Sequence, residues 1–265
     1  MSLTYWNGRL LPEAEVAVSP ADAGFLFGDG LFETLRADDG TALDVEAHLD
    51  RLLAGLARIG LSLPEDRAAL AGALAAVAAQ AHRPTARLRL TVTRGTSVPT
   101  RLIAAAPYEP PSEEMYRTGV RARLLRVPAV LSQGPLAGLK SLSYQANRLA
   151  LREAEAAGAW EVLLLNEHGR LAEGSRTNVA LVLDGRIFTP PESEGCLPGT
   201  VRRRLLERGA LQERTLTVDD LARAEGVLLM NSLIGALPVG WMDDRPLAAP
   251  VSGETAAGLR ALLEG

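Results

Sequence analysis

The chain has 265 residues, enough for one large domain or two small ones with a real core. Its net charge of −4, with 23% charged and 47% hydrophobic residues, is a soluble-enzyme profile without the basic excess that binds nucleic acid. A lone cysteine, Cys196, excludes an intramolecular disulfide, and three scattered histidines have no metal-ligand spacing. No apolar run reaches the length of a membrane span, and Met1 to Trp6 lack a signal peptide's charged start and apolar stretch, so a cytoplasmic, metal-free protein is expected.

Thr4 to Arg9 and Leu10 to Pro12 read as two short strands about an Asn7-Gly8 turn, with a further strand over Ala14 to Val18 and a loop from Ser19 to Asp22. Gly28-Asp29-Gly30 is flexible backbone leading into an alternating, half-buried strand from Leu31 to Arg36. After a hairpin turn at Asp39-Gly40, Leu49, Leu52, Leu53, Leu56 and Ile59 repeat at helical spacing within Val45 to Leu61. On spacing alone Arg51, beside that stripe, is a solvated helix arginine. Pro64 opens an alanine-rich helix to about Ala81; strands are expected over Ala86 to Arg94 and Leu102 to Ala106. Three prolines between Pro107 and Ser112 mark a linker, dividing the chain into domains 1–110 and 111–265.

The second part starts with a strand from Val120 to Val127, and a loop from Pro128 to Gly138 leads to Gly138-Leu139-Lys140-Ser141-Leu142-Ser143-Tyr144. A single lysine, Lys140, thus stands before an amphipathic helix over Ala146 to Ala157, and one strand later Glu173 precedes Gly174. An amine and a carboxylate on neighbouring elements suit pyridoxal phosphate chemistry, although a surface lysine and a turn glutamate are the commoner case. Asn178 to Leu183 and Arg186 to Thr189 form a hairpin over Asp184-Gly185, followed by a surface loop from Pro190 to Gly195. Leu197-Pro198-Gly199-Thr200 opens a helix through Leu206 whose first amides are free to receive an anion. A short helix from Thr217 to Ala224, a buried strand from Gly226 to Met230 and a terminal helix from Thr255 to Leu263 complete the chain.

Lys140-Ser141-Leu142-Ser143-Tyr144 followed by Glu173-Gly174-Ser175-Arg176-Thr177-Asn178 resembles the class IV aminotransferases, the fold-type IV pyridoxal phosphate enzymes. The resemblance extends to Phe25 through Arg36, to His48-Leu49-Asp50-Arg51-Leu52, and to Leu197 through Arg202, all in the family's order. It implies an α+β, two-domain fold with a smaller N-terminal α/β domain and a larger, β-rich C-terminal domain, with the cofactor between them. It also implies a homodimer acting on a small molecule. By the same resemblance Lys140 is catalytic, Glu173 keeps the pyridine nitrogen protonated, and Arg51, the amides of Thr200 and Val201, and the Ser232 hydroxyl hold the phosphate. His48 is structural; Tyr144 either meets the cofactor's phenolic oxygen or packs on the helix; Phe32, Arg36 and Arg94 belong to the substrate side.

Within the family, Asn231-Ser232-Leu233, with neither an acidic residue nor a threonine before Pro238, resembles the aminodeoxychorismate lyases; the aminotransferases tend to carry Thr-x-x-Glu-Ile-Thr-Pro there. Arg94-Gly95-Thr96-Ser97 is closer to the D-amino acid aminotransferases, but Pro99 and Arg101 stand where those enzymes trap the substrate carboxylate with arginine and histidine. The branched-chain pattern Lys-x-Gly-Gly-Asn-Tyr is replaced by Lys140-Ser141-Leu142-Ser143-Tyr144. The lyase is therefore expected, a step of folate synthesis, with a branched-chain or D-amino acid aminotransferase as the alternative.

Overall fold

A computed structural model describes residues 3–247 and 249–264, apart from the side chains of 249–252 and 264; Met1 and Ser2, part of the start read as lacking a signal peptide, lie outside them. The chain forms two compact units, Met1–Pro110 with Leu139–Tyr144, and Pro111–Gly138 with Gln145–Gly265. The segment carrying Lys140 therefore belongs with the N-terminal unit.

In that first unit β1 (Leu3–Trp6) and β2 (Arg9–Pro12) form a hairpin. Asn7 and Gly8 take φ of 48° and 93°, the left-handed pair a two-residue hairpin turn needs. The strand expected over Ala14 to Val18 does not form: Glu13–Glu15 is a turn of 3-10 helix. That turn interrupts the segment at its start, and glutamate and alanine are weak strand formers. A short helix missing from the sequence reading, α1 (Ala23–Phe27), follows Asp22, whose carboxylate accepts the Gly24 amide at 2.7 Å. Next come β3 (Gly30–Asp38), β4 (Thr41–Ala42), α2 (Val45–Arg58), α3 (Arg67–Ala79), β5 (Thr85–Thr93) and β6 (Thr100–Pro107). Helix α2 stops short of Leu61 because Gly60 turns left-handed, at φ 63°. Helix α3 starts at Arg67 rather than Pro64, since Asp66 caps it through the Ala69 amide at 2.8 Å.

These strands make one antiparallel sheet in the order β2-β1-β6-β5-β3-β4. One face is covered: Leu31, Leu35, Leu88, Leu90 and Val92 are buried with Leu49, Leu52 and Leu56 of α2 and Leu70 and Leu74 of α3. Each such leucine contributes about 2 kcal/mol by leaving water. Alternation therefore sends Phe32, Thr34 and Arg36 of β3 to the opposite face, beside Thr91, Arg89 and Arg87 of β5 in register. Strand β4 pairs only with the end of β3. The free edge at its start is taken by the Lys140 segment: the Phe32 amide donates to the Lys140 carbonyl at 2.9 Å and the Leu142 amide to the Gly30 carbonyl at 3.0 Å.

The second unit contains α4 (Glu113–Thr118), unforeseen and capped by Ser112, then β7 (Val120–Leu124), α5 (Gln145–Ala156), β8 (Glu161–Leu165), β9 (Arg170–Gly174), β10 (Asn178–Leu183) and β11 (Arg186–Thr189). It continues with α6 (Thr200–Glu207), β12 (Gln212–Glu213), β13 (Leu216–Thr217), α7 (Val218–Arg223), β14 (Gly226–Asn231), β15 (Gly235–Met242), β16 (Arg245–Pro246) and α8 (Ala249–Glu264). The sheet order is β12-β11-β10-β14-β15-β7-β8-β9-β13, with β16 on β15; β7 runs parallel to both neighbours. Strands β8, β10 and most of β14 are buried on both faces, which is why they read as unbroken apolar runs. The expected surface loop from Pro190 to Gly195 is corrected in part. Glu194 is buried because its side chain gathers Asn166 (2.7 Å), Thr215 (2.7 Å) and Arg170 (3.1 Å).

Candidate functional site

Lys140 is the only lysine in the sequence, so any imine or amide chemistry on a side-chain amine of this chain is confined to one position. Its Nζ lies 4.7 Å from the Phe32 ring centroid and 6.0 Å from that of Tyr144. The two rings meet edge-to-face at 5.4 Å and 88°, so Tyr144 packs on Phe32 beside the lysine. On the same ring, 3.9 Å from its centroid, sits the Arg89 guanidinium. Among the described residues no carboxylate stands within ion-pair distance of Arg89, whose Nε donates to the Thr91 hydroxyl at 3.3 Å. By contrast Arg36, on the same face, is held by Asp38 at 2.8 Å. Arg94 lies past the end of β5, bound to Asp29 at 2.6 Å and the Ile59 carbonyl at 2.8 Å.

Arg51 projects from α2 to the covered face of the sheet. Its Nε and Nη2 donate to the two carboxylate oxygens of Glu33 at 2.8 and 2.6 Å, and His48 Nδ1 reaches the same carboxylate at 2.7 Å.

In the second unit Glu173 sits near the end of β9, opposite Leu164. The Leu197 amide donates to its Oε2 at 2.9 Å, fixing the carboxylate against the turn that leads into α6. Asn178 clamps that turn by donating to the Leu197 carbonyl at 2.8 Å, and a Cβ at Gly199 would collide with the Asn178 side-chain oxygen. No side chain caps α6 at Gly199, so the first turn, with Thr200 and Val201, presents its amides and the positive end of the helix dipole. Ser232 stands in the tight turn between β14 and β15, which Asn231 shapes by accepting the Leu233 and Ile234 amides at 2.9 and 3.1 Å. Glu161, fully buried on β8, accepts the Val162 and Ser175 amides at 2.9 and 3.1 Å and the Thr177 hydroxyl at 2.9 Å, holding the segment after Glu173. Burial pushes its carboxyl up despite those bonds.

The unit-one residues Lys140, Phe32 and Tyr144 are thus gathered in one place, with Arg51 across the sheet; Glu173, Thr200, Val201 and Ser232 belong to the second unit. Sequence reasoning missed Arg89, Glu33 and Glu161. Only the period-two alternation of β5 hints at Arg89, by placing it on the face of Phe32.

Residues 30–240 match the family model of class IV amino-transferases. The chain belongs to the class IV aminotransferase family. A 4-amino-4-deoxychorismate lyase from Pseudomonas aeruginosa is 35% identical, with a TM-score of 0.85 over 99% of this chain and 98% of that one. A bifunctional aminodeoxychorismate lyase / D-amino acid transaminase from Mycobacterium tuberculosis is 31% identical over 91% of each chain. The D-alanine aminotransferase of Bacillus licheniformis is 27% identical over 98% of this chain and 95% of its own. The fold of this class IV chain is accordingly fold-type IV, mixed helix and sheet. Among the described residues no group of histidine, cysteine, aspartate and glutamate is placed to hold a metal, and no helix is long and apolar enough to cross a membrane.

Proposed function

We propose that this class IV enzyme converts 4-amino-4-deoxychorismate to 4-aminobenzoate and pyruvate. It is a pyridoxal-phosphate-dependent enzyme, and its donor set suits that cofactor: one lysine amine, a carboxylate fixed by a backbone amide, and an uncapped helix start. When bound, the cofactor supplies an electron sink for the bond-breaking at the carbon that bears the substrate's nitrogen. Lys140 moves the proton at that carbon; Glu173 holds a proton on the pyridine nitrogen. Arg51, the Thr200 and Val201 amides and the Ser232 hydroxyl bind the phosphate. As the proton leaves, the enolpyruvyl ether departs, collects a proton as pyruvate, and the ring becomes aromatic. On the substrate side we assign Phe32, beside Lys140, with Arg36 and Arg94; we add Arg89 as the carboxylate partner, because its charge lies on the Phe32 ring.

The observation that carries the lyase reading is the turn Asn231-Ser232-Leu233-Ile234, closed by the Asn231 side chain, with neither an acidic residue nor a threonine between it and Pro238. Given aminodeoxychorismate and no keto acid, the enzyme should release 4-aminobenzoate over many turnovers, because a lyase regenerates its cofactor each cycle. In the same assay Arg89→Met should lower kcat/KM about 10- to 100-fold, the worth of one charge-assisted hydrogen bond. The D-amino acid transaminase activity in the name of the mycobacterial relative favours a second reading, transamination of D-amino or branched-chain acids. Rapid transamination with 2-oxoglutarate and no 4-aminobenzoate would make that the function.

We also infer a homodimer. Phe25, Leu26 and Phe27 on α1 are 71%, 52% and 76% exposed, an apolar patch that a second copy of the chain would cover. Light scattering should give about twice the 28.1 kDa of one chain, and a monomer mass at micromolar concentration would reject the idea.

A further inference from the structure

Glu33 occupies a position the fold would fill with an aliphatic side chain. On the covered face of β3 it alternates with Leu31, Leu35 and Ala37, opposite Leu90 of β5, and is 1% exposed. Sheet and helices alone give no reason to bury a carboxylate there, and replacing such an ion pair by apolar residues is often neutral or stabilising. What Glu33 does hold is Arg51, through both carboxylate oxygens and two nitrogens of one guanidinium edge. A two-point contact fixes the plane of the guanidinium as well as its position, which one hydrogen bond does not. His48, one helical turn before Arg51 and 1% exposed, steadies the carboxylate through Nδ1 at 2.7 Å. Its Nε2 is buried without a hydrogen-bond partner, so this ring is oriented for Glu33 at the expense of its other nitrogen.

We propose that Glu33, braced by His48, is a positioning residue that aims Arg51 at the cofactor phosphate. The proposal rests on Arg51 as the phosphate-binding arginine. Burial by itself would push the Glu33 carboxyl up, but the Arg51 charge, its hydrogen bonds and His48 outweigh it and hold the carboxyl at about 2. His48 goes the other way, lowered chiefly by burial, and stays neutral. The cluster therefore keeps one negative and one positive charge at neutral pH, and Glu33 opposes the net attraction of Arg51 for an anion. Charge and orientation thus predict opposite effects of neutralising Glu33.

The experiment is equilibrium dialysis of the full chain against pyridoxal phosphate and, separately, against pyridoxal, which lacks the phosphate. Glu33→Gln should lower the preference for the phosphorylated form about tenfold or more while pyridoxal affinity stays within about twofold. A purely structural role would weaken both ligands together and overturns the proposal, as does a rise in phosphate preference, which would mean that Glu33 acts only as a competing charge. Arg51→Met is the control on the underlying reading: an unchanged preference there removes Arg51 from the phosphate, and the proposal with it. If Glu33→Gln does not fold, His48→Gln, which leaves the ion pair in place, should lower the same preference by a smaller factor, and no change overturns the proposal.

Discussion

Lys140→Ala should lose the covalent link to the cofactor and lower turnover by at least about 10³-fold, since one amine both attaches the cofactor and moves the proton. The test is unusually clean because no other lysine exists in the chain to substitute. Borohydride reduction followed by peptide mass spectrometry should place the cofactor's mass on the peptide containing Lys140 in the wild type and nowhere in the variant. The amine rests near the Phe32 and Tyr144 rings on a segment held to β3 by backbone hydrogen bonds, which the substitution leaves in place. Wild-type turnover in the alanine variant would remove Lys140 from the mechanism.

Glu173→Gln should lower turnover about 10²- to 10³-fold with the cofactor still bound, the scale seen when one charge-stabilising group is removed from an active site. The Leu197 amide that fixes Oε2 can equally donate to a glutamine oxygen, so the substitution changes charge and leaves the side chain in place. A neutral amide no longer favours a protonated pyridine nitrogen, and the electron sink weakens. Titration of the cofactor's absorbance separates this from lost binding. Near-normal turnover at full occupancy would show that some other group protonates the ring.

Several elements were legible because their signal is local. Asn7-Gly8, Asp39-Gly40 and Asp184-Gly185 turn with both residues left-handed, and Leu49, Leu52 and Leu56 of α2 are buried as their spacing requires, with Leu53 and Ile59 half-buried beside them. Other elements were hidden for definite reasons. The strand expected over Ala14 to Val18 gives way at its start to the 3-10 turn Glu13–Glu15; α1 is too short for periodicity and depends on Asp22. Glu194 reads as a surface acid until Asn166, Arg170 and Thr215 converge on it.

The order of the motifs around Lys140, Glu173 and Leu197 to Arg202 determined by itself the family and the cofactor, because that chemistry needs particular residue types that no packing arrangement can replace. Only the tertiary structure decided which charges meet. Glu33 and Arg51 are 18 residues apart and join across a helix–sheet contact. Arg89 reaches Phe32 because β3 and β5 pair in one register. Backbone propensity is set by neighbours in the chain, whereas the partner of a charge is set by which faces the fold brings together.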